Sequence, residues 1–452
     1  MDFNINRRRF LKNSSACFAM AMLGDYGLDL FHREKKWKVG LIGTGWYGKS
    51  DLLKLIQVAP VEVVALCDVD QRLLTEAVEW VKERAGTSAD PATYGDFREM
   101  LRNHSFDIIL VGTPDHWHAL AAIESMKAGA HVYVQKPVSV DVLEGEAMLA
   151  AARKYERVVQ VGTQRRSTPH LIEAREKIIA AGLLGKISYV EMCCYYHMRA
   201  NGSPDPQSAP DYFDYEMWTG PAPLRPFVKM PHRGWWRTFM EYSNGIIGDM
   251  GVHMFDAVRW MLGLDWPENI YSTGGILVQK EGLSNTPDTQ TATFEYPDLK
   301  CVWTHRSWGN SGDEKYPWSF KIYGEKGMLV GTVYEYDFIP YGKGQALHGD
   351  VVFEKEEFPD DLKERDIELH TAPATRRHML DFLAAIDQKG RPVADIREGH
   401  ISSASCILAN LSMQLGRNLS YDPVRKIVTG DEEATDLLKR SYRGSWIHPY
   451  LG

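Results

Sequence analysis

The stretch WKVGLIGTGWYG, residues 37–48, decides the fold. Its first half is a short, uninterrupted apolar run, as a strand buried on both faces requires. Its second half places Gly43, Gly45 and Gly48 as G-x-G-x-x-G, directly before SDLLKLIQVAP, which continues as an apolar helix. In such a strand–turn–helix the first glycine permits the tight turn, and the second lets backbone approach a pyrophosphate. The third allows close packing of the helix, whose N-terminus faces the phosphates. Thr44, Trp46 and Tyr47 fill the intervening positions and belong to the same candidate cofactor turn. A glycine fingerprint alone is a weak signal. Its place at the start of a strand–helix–strand unit is what identifies a dinucleotide site rather than a structural turn. VEVVALCDVD then supplies a second strand that ends at Asp68, 20 residues beyond Gly48, where a carboxylate can bind ribose hydroxyls. An acid there favours NAD over NADP because it repels a 2′-phosphate, although Arg72 is near enough to offset that repulsion.

The same alternation continues outward. RLLTEAVEWVKERAG reads as a helix, FDIILVGTP as a third apolar strand, HALAAIESMKAGA as a helix and HVYVQKP as a strand. VLEGEAMLAAARKY and VVQVGTQ add one more helix and strand. Strands and helices alternating at this length imply an α/β, doubly wound parallel sheet with right-handed connections. This dinucleotide-binding domain spans 36–160. From 161 to 452 the pattern changes to a second α/β domain with a mixed, mainly antiparallel sheet. TQTATFEYPDLKCVWTHRSW and SFKIYGEKGMLVG read as hairpins, and RRHMLDFLAAIDQ and GHISSASCILANLSMQLG as late amphipathic helices. ANGSPDPQSAPDYFD, residues 200–214, reads as a surface loop near the mouth of the site.

Composition narrows the function classes. The chain has 452 residues and a formal charge of −8 with no long basic run, which argues against a nucleic-acid partner. Cys17, Cys67, Cys193, Cys194, Cys301 and Cys406 show neither C-x-x-C pairs nor metal-like spacing, so neither a metal site nor a disulfide framework is expected. Thirteen Trp and 21 Tyr lean toward the later two thirds, in RGWWRTF and HRSWGN among others, where they serve either a carbohydrate platform or the core. The leader 1–35 contains NRRRFLKNSSACFAMAML, with Arg7, Arg8 and Arg9 ahead of Phe10, Leu11 and Lys12. It resembles a twin-arginine export signal, which predicts a periplasmic protein; the alternative is a basic leader without address. Nothing later reaches the apolar length of a membrane-spanning helix.

Three segments carry the candidate chemistry. TPDHWHA (113–119) follows the third strand and QKP (135–137) ends the next, so both border the cofactor at the carboxyl ends of the strands. They contribute Thr113, Pro114, His116, His118, Gln135 and Lys136, with Lys136 the cation aimed at the reacting end. His116 and His118 lack the neighbouring carboxylates of a metal set. GDMGVHMFD (248–256) holds Asp249 and His253 four apart ahead of a helical run, so the acid can orient or charge the imidazole. The plainer readings are a helix-capping aspartate and a space-filling histidine. Asp256 can equally face solvent. Gln164 and Arg165 in GTQRRS, His197 at a strand end, and Trp235, Trp236 and Arg237 are candidate substrate contacts.

Together, the glycine turn, TPDHWHA, QKP and Asp-x-x-x-His resemble the Gfo/Idh/MocA oxidoreductases, over essentially the whole chain after residue 36. One departure is Gln135, where the family usually has Glu. The resemblance implies a Rossmann domain, an open antiparallel sheet that forms dimers or tetramers, NAD as cofactor, and small carbohydrate or cyclitol substrates. If Lys136 and the Asp249–His253 pair meet over the nicotinamide, they supply what alcohol oxidation requires. His253, near pKa 6.5 when unperturbed, accepts the hydroxyl proton, Asp249 orients it, and Lys136 stabilises the alkoxide. Some relatives instead cleave glycosidic bonds through transient oxidation and elimination, but carry a different motif around their histidine. Others only sense a sugar, a role that needs no proton acceptor.

Overall fold

The computed structural model describes residues 36–85, 89–195, 202, 204–232, 235–364 and 368–451. The leader 1–35 and His197 lie outside the described residues. The strand opening the first domain, β1 (Trp37–Ile42), is buried at every position but Lys38. It is followed by β2 (Val61–Cys67), β3 (Ala92–Tyr94), β4 (Ile108–Val111), β5 (His131–Val134) and β6 (Val159–Val161). These form one parallel sheet in the order β3-β2-β1-β4-β5-β6. The strand order reverses between β1 and β4, and a crevice opens beyond their carboxyl ends.

The glycine turn is built as its spacing requires. Gly43 has φ +89°, a left-handed conformation open mainly to glycine. A Cβ on Gly48 would lie 2.0 Å from the Gly43 carbonyl oxygen, so helix Trp46–Val58 reaches its turn only with glycine there. Gly45 faces open space, with nothing within 4 Å of a Cβ built on it.

The second sheet is assembled from β7 (Ile187–Cys194), β8 (Asn269–Gly275), β9 (Thr289–Tyr296), β10 (Leu299–Arg306), β11 (Trp318–Gly324), β12 (Gly327–Gly331), β13 (Glu335–Pro340) and β14 (Leu347–Asp350). Its order is β14-β13-β12-β11-β7-β10-β9-β8, with β7 and β10 parallel and every other pair antiparallel. The two hairpins read from the pattern are β9–β10 and β11–β12. One face of this sheet packs on helix Val252–Leu262, where Phe255 stacks on Phe294 at 4.2 Å between ring centres. No described helix is long and apolar enough to cross a membrane. Cys67, Cys193, Cys194, Cys301 and Cys406 are free thiols.

Two segments depart from the simple two-domain reading. The described part of 200–214 is not all surface loop: Phe213 is buried and bridges to Asp70 beyond β2. It opens a lobe running to residue 243, whose aromatic core is formed by Phe213, Trp218, Phe227, Trp235, Phe239 and Tyr242. The lobe is fastened to the first domain by Gln71 N–H on the Tyr212 carbonyl (2.9 Å) and Asp214 N–H on the Val69 carbonyl (3.0 Å).

The late helices also return to the first domain. Helix Ala372–Asp387 lies against helix 46–58, where Lys54 and Arg376 both bind the buried Asp361 at 2.5 and 2.8 Å. Beyond it, Val161 N–H at the end of β6 donates to the Ala394 carbonyl at 2.9 Å. Helix Ile396–Leu415 is buried continuously from Gly399 to Asn410, so it is not amphipathic as its composition implied. It is sandwiched between the domains, and its small residues Ser402, Ser403, Ala404 and Ser405 let both approach.

Two glycine exchanges separate packing from approach. Gly48→Ala should destabilise the chain by about 1–3 kcal/mol through overpacking. Gly45→Ala should leave the melting temperature unchanged but weaken NAD binding in calorimetry, because only a ligand meets its methyl group.

Candidate active site

A cleft of about 510 Å³ runs along the carboxyl ends of β1 and β4 into the gap between the domains. Gly43, Gly45, Trp46 and Asp68 line it at one end. Lys136, Arg237, Asp249 and His253 line it at the other.

At the first end, Asp68 Oδ2 accepts from the Thr44 backbone N–H at 2.7 Å and its hydroxyl at 3.0 Å. Thr44 thus supports the acid and does not itself line the cleft. Burial raises the Asp68 carboxyl, while backbone N–H groups of Asp70 and Thr44 act the other way. Arg72 is turned away: its guanidinium lies 3.3 Å from the centre of the Tyr212 ring and is absent from the wall. The offset to Asp68 considered from sequence is therefore not supplied at the cleft. His232, from the aromatic lobe, lines this end and binds Asp70 at 2.8 Å. These residues fit a dinucleotide: a backbone cradle without a side chain at Gly45, and an acid at the second strand end.

At the other end, Lys136 Nζ donates to the Asp249 side chain at 2.7 Å and to the Asp249 carbonyl at 2.8 Å. Arg237 Nε stands 3.4 Å from the same carboxylate oxygen. Burial would raise the Asp249 carboxyl, but Lys136 and Arg237 outweigh it and hold it well below the usual range.

Asp249 therefore makes no recorded hydrogen bond to His253, contrary to the expected orienting contact. The reason is local: residues Ile247–Gly251 form a π-turn before helix 252–262, and its wider turn takes Asp249 out of the i, i+4 alignment. His253 instead packs edge-on to Trp318, 5.7 Å between centres, and its buried Nδ1 has no hydrogen-bond partner. Burial first, then the Lys136 and Arg165 charges, push the imidazole well below its ordinary value, against a smaller pull from Asp249. It is therefore neutral at pH 7. The opposing shifts within one cleft are typical of a site built for proton transfer.

The remaining sequence candidates divide. Thr113, Pro114, His118, Gln135, Arg165 and Trp236 line the cleft. His118 is also a brace, its ring nitrogens reaching the carbonyls of Pro137 (2.6 Å) and Thr113 (3.0 Å) and so tying together the loops after β4 and β5. His116 is not on the wall; it is buried against the Trp218 carbonyl at 2.9 Å beneath the lobe. Burial pulls both rings down to about 4. Gln164 is buried off the cleft, and Trp235 sits within the lobe under Lys229. Gly48 is a packing position, as above. Asp256 does not face solvent: it is fully buried and paired with Arg166 at 2.8 Å.

Several wall residues went unnoticed in the sequence, among them Trp318, Glu368, His232 and Asp115. Trp318 forms the aromatic side of the inner end, and Glu368 accepts from the Tyr47 hydroxyl at 3.0 Å. His232 and Asp115 also line the cleft. Of these only Asp115 carried a signal, its place inside TPDHWHA. Burial pushes the Asp115 carboxyl up to about 7, with Arg237 working against it and Asp249 reinforcing it.

Asp115 carries a stability consequence. Its folded value lies above the ordinary 3.8, so its contribution is fully present below pH 4 and is lost as pH rises toward 7. Asp115→Asn removes that titration. The melting temperature of the variant relative to the native chain should therefore be higher at pH 8 than at pH 5.

Comparison with known proteins gives consistent results. Residues 37–163 match the family model described as "Oxidoreductase family, NAD-binding Rossmann fold". Residues 172–330 match the GFO/IDH/MocA C-terminal domain, and 340–448 the oxidoreductase-family C-terminal alpha/beta domain. An uncharacterized oxidoreductase of Bacillus subtilis, YrbE, is 25% identical over 300 residues, covering 66% of this chain and 74% of that one. A glycosyl hydrolase family 109 protein of Shewanella is 26% identical over 214 residues, covering 41% of this chain. That alignment spans 46% of the hydrolase's own length. The WlbA dehydrogenase of Bordetella pertussis, solved with NADH and UDP-GlcNAcA, shares the fold. It has a TM-score of 0.61 at 20% identity, over 86% of this chain and 99% of its own.

Proposed function

Since the chain belongs to the Gfo/Idh/MocA oxidoreductase family and carries its NAD-binding Rossmann domain, we propose that it oxidises a hydroxyl carbon of a sugar, glycoside or cyclitol. The observation that carries this reading is the ion pair of Lys136 and Asp249, on the same wall as His253 and at the far end of the cleft from Gly45 and Asp68. NAD, when bound, supplies the hydride acceptor. His253, held neutral, takes the hydroxyl proton. Lys136 stabilises the negative charge that grows on the oxygen, and costs no reorganisation because Asp249 already holds its ammonium in place. Asp249 also offsets the charge of the protonated His253. Trp318 offers a flat apolar face to a sugar ring, and Arg165, Trp236 and Glu368 supply polar and aromatic rim contacts. Asp68, with Arg72 turned aside, supports NAD over NADP.

One observation favours a second reading, the NAD-dependent glycoside hydrolase that works by transient oxidation and elimination. Asp115, raised to about 7, is a second carboxyl in the cleft able to donate a proton to a leaving oxygen. The Shewanella similarity points the same way. Arg7 to Lys12 support export to the periplasm, and the exposed Tyr189, Tyr271 and Ile339 on the second sheet support a homodimer or homotetramer.

Native mass spectrometry of the purified protein reads both the assembly mass and bound NAD. Mixing it with a panel of free sugars, cyclitols and methyl glycosides then follows reduced nicotinamide by absorbance. Net reduction supports the dehydrogenase; cleavage of a glycoside without net reduction supports the hydrolase; failure to bind NAD overturns both. His253→Ala should keep NAD and lower turnover by about 10²–10⁴-fold, the usual contribution of a positioned base. As protonated His253 cannot accept a proton, the acid limb of the native pH–rate profile should lie below pH 6.5, in line with the downward shift of that ring.

A further inference from the structure

Behind the cleft wall lies a buried carboxylate that the chemistry above does not use. Asp51 is on helix 46–58, 3% exposed, and is not part of the wall. Its Oδ2 accepts from Gln135 Nε2 at 2.7 Å, and Gln135 Oε1 accepts from the backbone N–H of Lys136 at 3.2 Å. An amide side chain has one donating end and one accepting end, whereas an ionised carboxylate only accepts. Asp51 therefore captures the NH₂ end and leaves the oxygen facing Lys136. Were the amide reversed, two donors would face each other at Lys136 and two acceptors at Asp51. Gln135 also lies flat on Gly162, where an added Cβ would stand 2.8 Å from Nε2, so its plane is fixed by packing.

We propose that Asp51 is a positioning residue for Lys136, acting through the Gln135 amide. The chain of contacts is continuous: helix 46–58, the Gln135 side chain, the Lys136 backbone, and the Lys136 ammonium on Asp249. Burial drives the Asp51 carboxyl up to about 7, while the Gln135 hydrogen bond and the Lys54 charge on its own helix restrain it. The phenols of Tyr47 and Tyr133 feel the same buried charge. Such a carboxyl is costly to retain, and its one recorded side-chain partner is Gln135. Its functional consequence rests on the assignment of Lys136 above, but its structural core does not.

The test compares a residue that removes the acceptor at position 51 with one that retains it. In Asp51→Leu nothing accepts from Gln135 Nε2, so the amide is released and its oxygen is no longer held on the Lys136 N–H. In Asp51→Asn the amide oxygen still accepts from Gln135 Nε2, which keeps the native pattern. The readout is the Lys136 amide resonance in [¹⁵N]lysine-labelled full-length protein with its cofactor, assigned by its loss in Lys136→Arg. Turnover is measured alongside on any sugar that reduces the bound NAD. Asp51→Leu should shift the Lys136 resonance upfield and lower turnover roughly tenfold, within the range of coupling between contacting residues, with NAD content unchanged. Asp51→Asn should stay close to native in both. An unshifted Lys136 resonance in Asp51→Leu overturns the proposal, as does an Asp51→Asn variant no closer to native than Asp51→Leu. If no sugar reduces NAD, the resonance still decides the proposal while the dehydrogenase reading fails by itself.

Discussion

The ion pair between Lys136 and Asp249 joins two parts of the chain that share no hydrogen-bonded strand. Lys136 stands just past the end of β5, in the parallel sheet, and Asp249 in the π-turn before helix 252–262, which packs on the other sheet. An exposed pair of this kind would contribute little, because water competes for both ions. Here the side chains are 9% and 11% exposed, so each charge depends on the other for its solvation. The domains therefore meet at the place where a reacting oxygen would lie. Arg237 adds a second cation from the aromatic lobe, so three separate stretches of sequence converge on one carboxylate.

That convergence explains the opposing proton affinities. Lys136, which with Arg237 holds Asp249 ionised, joins Arg165 in making a further positive charge expensive at His253, which lacks a hydrogen bond at Nδ1 to offset its burial. Asp115 feels the opposite pressure, buried near an anion that is already paired. Three titratable groups in one cleft are thus spread widely by burial and by the cations Lys136, Arg165 and Arg237.

Much of this was legible in the sequence where the signal is local. Apolar runs bounded by turns marked β1, β2 and β4, and the glycine spacing marked the cofactor turn, because steric demands act over a few neighbouring residues. Lys136 was found for the same reason: it ends a buried strand. What failed were inferences that needed geometry between distant segments. The i, i+4 rule placed Asp249 under His253, but a π-turn leaves no pattern in the residues and moves the carboxylate to Lys136. Trp318 and Glu368 carried no signal, since each reaches the cleft from more than 60 residues beyond His253 in sequence. Helix 396–415 looked amphipathic because serine scores as polar, yet its serines are small enough to be buried between two surfaces.

The return of the late helices to the first domain bears on how the chain is made. Helix 46–58 is covered by helix 372–387, and the end of β6 completes its backbone hydrogen bonding on Ala394. A nascent chain that has emerged only as far as residue 161 therefore has all six strands of its parallel sheet but lacks part of its outer layer. Closing that surface requires contacts spanning more than 200 residues, the kind that form slowly and leave apolar surface open meanwhile. The nucleotide domain is first in the chain and among the last parts to be finished, so the interval before completion is when a chaperone would be needed.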